Sequence, residues 1–410
     1  MPSGTGLVLK NTLFLGIVQV SIYAAPIAVL PFLTRTLGTN DFGIYASGFA
    51  LFSLLGVIGD YGFNSLGPYK LASEPRDLVT RSQTLSAVLR VKFWLALLLA
   101  TVPPLLSVLV PSWRDQWLFF TFIGLSGVLN SLLPVWFFQG IQRTQAIAVA
   151  TLCSRALFVA AVLLLVKGSD TLWLAAAGNA FSLTVALMLY FSLLIGTGIR
   201  PFQAPPNSCM KLLKEGLPFF VSRAAVVLYT STLPVLLGAF GSNHQVAIYS
   251  IADQVYRGGQ SAANPVAQAI YPHAVQRRRA RGPILGALWI GVAALLVLVV
   301  FLIFGGQLVR WFAGPGYEAS VPVLTVLLAA LVFSAPSQLL GFPALGAIGR
   351  IEYANRSVYF GGILALVLIV SGLLLGTFSA FYAALCVLAI ELLVFGLRVF
   401  WLSTSSHGTR

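Results

Sequence analysis

Ile284 to Phe304 reads ILGALWIGVAALLVLVVFLIF, an apolar run of twenty-one residues without a charge or a proline. As an α-helix rising about 1.5 Å per residue it is roughly 31 Å long. That matches the ~30 Å hydrocarbon core of a bilayer. Working outward, comparable runs lie at 11–34, 42–63, 84–110, 117–139, 145–166, 171–195, 213–239, 246–271, 319–347, 355–377 and 379–402. The sequence therefore predicts an all-α integral membrane protein of about twelve transmembrane helices. Composition agrees: 58% of the 410 residues are hydrophobic and 9% charged, against roughly 25% charged in a soluble domain. The first run is longer than the ~7–15-residue core of a signal peptide and reads as an uncleaved span.

The net charge of +14 does not point to nucleic acid, because the basic residues sit between apolar runs and not on a polar domain. With twelve spans and the N-terminus inside, eighteen Lys and Arg fall in inner connections or at the inner ends of spans. Four fall outside: Arg35, Arg114, Lys167 and Arg310. Cytoplasmic loops carry such an excess, so both termini are expected in the cytoplasm. The longest connections, near 64–83, 196–212 and 272–283, are all on the inner side. None is long enough for a soluble domain.

Two stretches repeat. Leu30-Pro31-Phe32-Leu33, Gly38-Thr39-Asn40 and Tyr45 return as Leu233-Pro234-Val235-Leu236, Gly241-Ser242-Asn243 and Tyr249. Each copy closes the first span of its half, and six spans separate them. The repeat is thus parallel, a common transporter plan in which paired halves flank a central cavity. It divides the chain into an N-terminal six-helix bundle, 1–205, and a C-terminal one, 206–410. Prolines within spans, such as Pro103, Pro134, Pro218 and Pro336, either act as hinges or are simply tolerated by membrane helices.

The three remaining basic residues, Arg155, Arg223 and Arg257, lie within spans, ten to eleven residues from an end. At ~1.5 Å per residue each is roughly 15–17 Å deep. A charge at the bilayer centre costs at least ~2.5–3.5 kcal/mol, so it should face a wet cavity or a partner. All three could line one cationic, substrate-binding cavity, where guanidinium forks suit phosphate oxygens. Arg257 has a second reading, because Asp253 lies one turn earlier on the same helix face. Asp253 and Glu391 are intramembrane acids that could exchange an ion during transport. Asp60, near a span end, reads as interfacial or salt-bridged. Arg90 and Lys92 mark the inner mouth of the third span, either snorkelling to headgroups or guiding an anionic headgroup inward. The Arg277-Arg278-Arg279-Arg281 cluster suits anionic lipid. Trp136, Phe137 and Phe138 either anchor the helix at the interface or stack on sugars.

Neither a phosphate-binding glycine loop nor a metal-ligand cluster nor a Ser-His-Asp set can be read. The three cysteines show no pairing pattern. No cofactor and no metal are expected, and the chain is not expected to be an enzyme.

Pro31-Phe32-Leu33-Thr34-Arg35-Thr36-Leu37-Gly38, Phe42-Gly43-Ile44-Tyr45 and Asp60-Tyr61-Gly62-Phe63 resemble the opening of the Wzx-type O-antigen and polysaccharide flippases. Trp136-Phe137-Phe138-Gln139-Gly140-Ile141-Gln142-Arg143 resembles that family's fourth span and the loop after it. Gln142 stands where relatives often have glutamate. The resemblance covers the first third well and the second half poorly. It implies the fold of the multidrug/oligosaccharidyl-lipid/polysaccharide exporters, two six-helix bundles around a central V-shaped cavity. It also implies an undecaprenyl-pyrophosphate-linked oligosaccharide as substrate, alternating access as mechanism, and the bacterial cell inner membrane as location. Membrane lipids and polysaccharide polymerase or chain-length proteins would be partners. A drug/cation antiporter of the same superfamily is the nearest alternative, but cationic drugs call for an acidic cavity. An O-antigen polymerase or ligase would need a large outer loop.

Overall fold

The structure is a computed structural model describing residues 4–73, 77–199 and 208–404. Arg76, Arg200 and Arg410 of the predicted inner set lie outside the described residues. Every regular element among the described residues is helical. Nine helical stretches among them are long and apolar enough to cross a membrane, and the protein is an integral membrane protein.

Nine is fewer than the twelve runs, for physical reasons. Helix α1 (Gly4–Asp60) joins the first two predicted spans and turns only at Gly38, whose φ of 69° and ψ of −178° are not helical. Glycine tolerates that positive φ without a Cβ clash. The seventh run is broken into α9 (Ser208–Thr230) and α10 (Thr232–Phe240). The eighth is α11 (Asn243–Arg277), whose face carries an acid, amides and an arginine, so it falls short on hydropathy. Two other runs are interrupted where proline removes a backbone donor. The third becomes α3 (Leu78–Ala100) and α4 (Val102–Leu109), with Pro103 beside the join. The fourth becomes α5 (Trp117–Leu132) and α6 (Val135–Gly140), broken at Pro134. The remaining long helices are α7 (Thr144–Leu165), α8 (Trp173–Ile195), α12 (Arg281–Ala313), α13 (Ser320–Leu339), α14 (Ile351–Leu374) and α15 (Ala380–Ser403). Part of the predicted 64–83 connection is itself helical, α2 (Phe63–Ser73).

The chain forms two compact units. One holds residues 1–37 and 48–224, the other 38–47 and 225–410.

In the first unit Trp136, Phe137 and Phe138 are fully buried and join Phe63 and Tyr190 in one core. Their predicted anchoring or sugar-stacking role is therefore corrected: the rings fill the space between helices. Gly67 leaves room for the Trp136 indole, since a methyl there would overlap it. Lys92 is corrected too. It neither snorkels nor lines an open mouth, being 2% exposed and ion-paired to Asp60 at 2.8 Å. The other Asp60 oxygen accepts from the Asn64 amide at 3.2 Å. One carboxylate thus satisfies a buried ammonium and an otherwise orphaned amide in the first turn of α2. Tyr61 and Gly62 make the preceding turn with positive φ. The Tyr61 ring stacks on Phe220 of α9 at 4.9 Å, and Lys70 pairs with Glu215 at 2.7 Å. Asp77 caps α3 by accepting from the Thr80 amide, a bond that holds its carboxyl below the usual carboxylate range.

In the second unit α11 packs against α13 and α15, while α12 exposes Leu288, Trp289, Leu296, Leu302 and Ile303 as a lipid-compatible surface. The residues of the sequence repeat meet here: Asn243 Nδ2 donates to Asn40 Oδ1 at 3.1 Å. A Cβ on Gly43 would overlap the Asn243 carbonyl, so the backbones approach as small residues permit in membrane helices. Gly43→Ala is expected to destabilise the protein by about 1–3 kcal/mol through overpacking, read as a lowered thermal midpoint in detergent. An unchanged midpoint would show that the contact is dispensable.

Candidate functional site

Three helices bring polar residues together inside the second unit. On α11, Asp253, Tyr256, Arg257 and Gln260 recur at the spacing of one helix face. On α13, Ser334, Ser337 and Gln338 do the same, and on α15 Glu391 and Arg398 lie seven residues apart. They line a cavity of about 220 Å³.

Arg257 Nε donates to Asp253 Oδ2 at 2.6 Å, and a terminal guanidinium nitrogen donates to the Thr230 carbonyl. That carbonyl is available because α9 ends at Thr230, where the last carbonyls of a helix lack intrahelical donors. The broken seventh span thus supplies the seat for the arginine. Tyr256 donates its hydroxyl to Glu391 Oε1 at 3.0 Å. Gln260 Nε2 donates to Tyr256 at 2.7 Å and reaches Glu391 at 3.4 Å. Gln338 Nε2 donates to the Gln260 carbonyl at 3.2 Å.

Arg398 completes the site. Its Nε donates to Ser357 Oγ at 3.0 Å, and its Nη1 to the Ser337 carbonyl at 2.6 Å and hydroxyl at 3.0 Å. Immediately beyond, α13 widens into a π-helical segment, Leu340–Leu345, in which Gly341 leaves helical geometry. Such bulges interrupt the regular ladder and free carbonyls. A Cβ on Gly341 would lie 3.0 Å from the Arg398 guanidinium carbon, so glycine admits the arginine.

Of the sequence-predicted residues, Asp253, Arg257 and Glu391 are therefore gathered in one cavity. Arg257 resolves to the ion-paired reading while still lining it. Arg155, on α7, is half-buried next to Ser154, whose hydroxyl reaches Ser182 at 3.3 Å. Arg223, on α9, is exposed, and Arg90, on α3, is half-buried. These three belong to the first unit and are not part of this cavity. Sequence reasoning singled out none of Tyr256, Gln260, Ser334 and Gln338, and counted Arg398 only among the eighteen inner basic residues. Their polar spacing of three, four and seven residues was the available signal. Among the described residues no group of three or more His, Cys, Asp or Glu could hold a metal.

The family described as "Polysaccharide biosynthesis protein" matches residues 8–277. The chain belongs to this family. Two curated relatives share the name "Putative O-antigen transporter". The one from Escherichia coli (strain K12) is 25% identical over 401 residues, spanning 95% of each chain. The one from Shigella dysenteriae is 28% identical over 272 residues, 64% of this chain and 66% of the relative. The fold of the chain resembles that of solved structures. An inward-facing multidrug resistance MATE family transporter of the MOP superfamily aligns with a TM-score of 0.73 and 14% identity, over 96% of this chain and 99% of that one. The lipid II flippase MurJ, in an inward closed conformation, aligns at 0.76 and 13% identity, over 95% and 87%. At such identities these two structures speak to the fold alone.

Proposed function

We propose that the protein is a flippase carrying an undecaprenyl-pyrophosphate-linked oligosaccharide repeat unit from the inner to the outer leaflet of the bacterial inner membrane. The observation that carries this reading is the likeness to an O-antigen transporter over 95% of both chains. In this reading twelve helices form two six-helix bundles, 1–205 and 206–410, with both termini cytoplasmic. The lipid tail stays in the bilayer while the headgroup crosses between bundles by alternating access. No covalent bond is made or broken, so the protein acts as a transporter and not as an enzyme.

Arg155 and Arg223 take the pyrophosphate, because a guanidinium offers its donors in a fixed fork to phosphate oxygens. Arg257, tied to Asp253, adds positive potential without being free to wrap a phosphate. Arg90 receives the headgroup at the inner side. Asp253 is committed to Arg257, which leaves Glu391, held by a phenol and an amide, as the residue for ion coupling by proton exchange. A polysaccharide polymerase and chain-length proteins would act on the delivered unit.

Deletion of the gene, followed by chemical analysis of membrane lipids, tests the proposal. The expected result is loss of a surface polysaccharide and accumulation of its lipid-linked repeat unit, both reversed by a plasmid copy. Unchanged surface polysaccharide and lipid pools would overturn it.

A further inference from the structure

We infer that the cavity between α11, α13 and α15 is a subsite for one neutral sugar ring of the passenger's headgroup. The lining is mixed in a way that excludes simple ions. Guanidinium groups of Arg257 and Arg398 both border the space, which disfavours a bound metal cation. Carboxylates of Asp253 and Glu391 also border it, which disfavours an anion. Between these charges stand hydroxyl and amide groups that both donate and accept. A ring bearing several hydroxyls, each a donor and an acceptor, is the chemistry that satisfies such a wall.

Two polar atoms point to an absent ligand. Ser334 is 2% exposed and its Oγ has no hydrogen-bond partner; the Gln338 Oε1 is likewise buried and unpartnered. Both residues line the cavity, and buried polar groups are normally paired. A ligand hydroxyl could donate to Gln338 Oε1 and accept from Ser334. The Gln338 amide nitrogen is already committed to the Gln260 carbonyl, which fixes the side-chain oxygen as the free acceptor. The volume of about 220 Å³ leaves room for one ring. The site would select for the stereochemistry of one residue of the repeat unit, since a wall built to hydrogen-bond hydroxyls rejects analogues that leave its groups unmet.

The inference rests on the flippase reading only for the identity of the passenger, and its test is independent of transport. The full-length protein is placed in lipid nanodiscs, free of glycoside detergents and glycerol. Saturation-transfer NMR is then run with the methyl glycosides of glucose, galactose, N-acetylglucosamine and rhamnose. At least one is expected to receive saturation. In Ser334→Ala/Gln338→Leu its signal should fall about fivefold or more, the size expected for lost hydrogen bonds. Lys167→Ala, on an exposed loop, should keep the native signal. Circular dichroism and size-exclusion profiles establish that each variant is folded, and Ser334→Ala alone serves if the double variant is not. Absence of saturation with every probe, or an undiminished signal in the cavity variants, overturns the subsite. Saturation replaced by a sodium-dependent thermal shift would do the same. The gene-deletion phenotype stands or falls separately, so failure of the subsite and failure of the flippase reading are distinguishable.

Discussion

Lys92→Met is expected to destabilise the protein by about 3–5 kcal/mol, the cost of leaving one member of a buried ion pair without its partner. Lys92 and Asp60 are 2% and 7% exposed at their side chains and 2.8 Å apart. Little solvent is available to screen the carboxylate once the ammonium is gone. The accompanying variant is Lys92→Met with Asp60→Asn. The amide oxygen of asparagine still accepts from the Asn64 amide, so the start of α2 keeps its bond while the charge disappears. The double variant should recover most of the loss, because replacing a buried pair by neutral groups is often close to neutral. Thermal unfolding in detergent reads both. A single variant as stable as the native protein would show that the pair is solvated and would remove its structural role.

The second large effect concerns transport. Arg155→Ala and Arg223→Ala should each lower surface polysaccharide by about tenfold or more, the scale of a lost charged hydrogen bond of ~1.5–3 kcal/mol. Membrane levels of the protein should stay near native, since Arg155 is half-buried and Arg223 exposed. Lysine at either position keeps the charge but not the fork, and should restore only part of the export. Immunoblots of membrane fractions alongside polysaccharide gels separate transport from expression. Normal polysaccharide in both alanine variants would take the pyrophosphate role away from these residues.

Which apolar runs carry the polar residues was legible in the sequence, while azimuth was not. Their place inside such runs singled out Arg257, Asp253 and Glu391, and all three line one cavity. The same reading put Lys92 at an inner mouth, where it would be solvated. It lies instead under the turn at Asp60, a partner thirty-two positions away that no local spacing could reveal. Arg398 was counted among inner charges, yet it is buried against Gly341. The signal for that contact is a tertiary one, the π-helical widening of α13. Hydropathy marked the apolar runs but not their regular extent, because apolar content does not register where a backbone breaks. Ser231 interrupts the seventh run without lowering its hydrophobicity. Conversely α11 looked weak because its polar face is directed at other helices, where hydrogen bonds replace the apolar surface that hydropathy measures.

The Gly38–Ser47 segment is flanked on both sides by residues of the first unit but is itself part of the second. Anyone exchanging half-genes between relatives at the midpoint near residue 205 would carry this segment away from its own Asn243 carbonyl and Tyr317 ring. The chimera would then bring a foreign plug to a native socket. A workable junction scheme has to transplant three pieces, with 38–47 travelling alongside the C-terminal portion. The same interlacing binds evolution: substitutions at Asn40, Phe42 and Gly43 are answerable to sequence two hundred positions downstream, so recombination within the family is expected to spare chains that inherit both stretches from one parent.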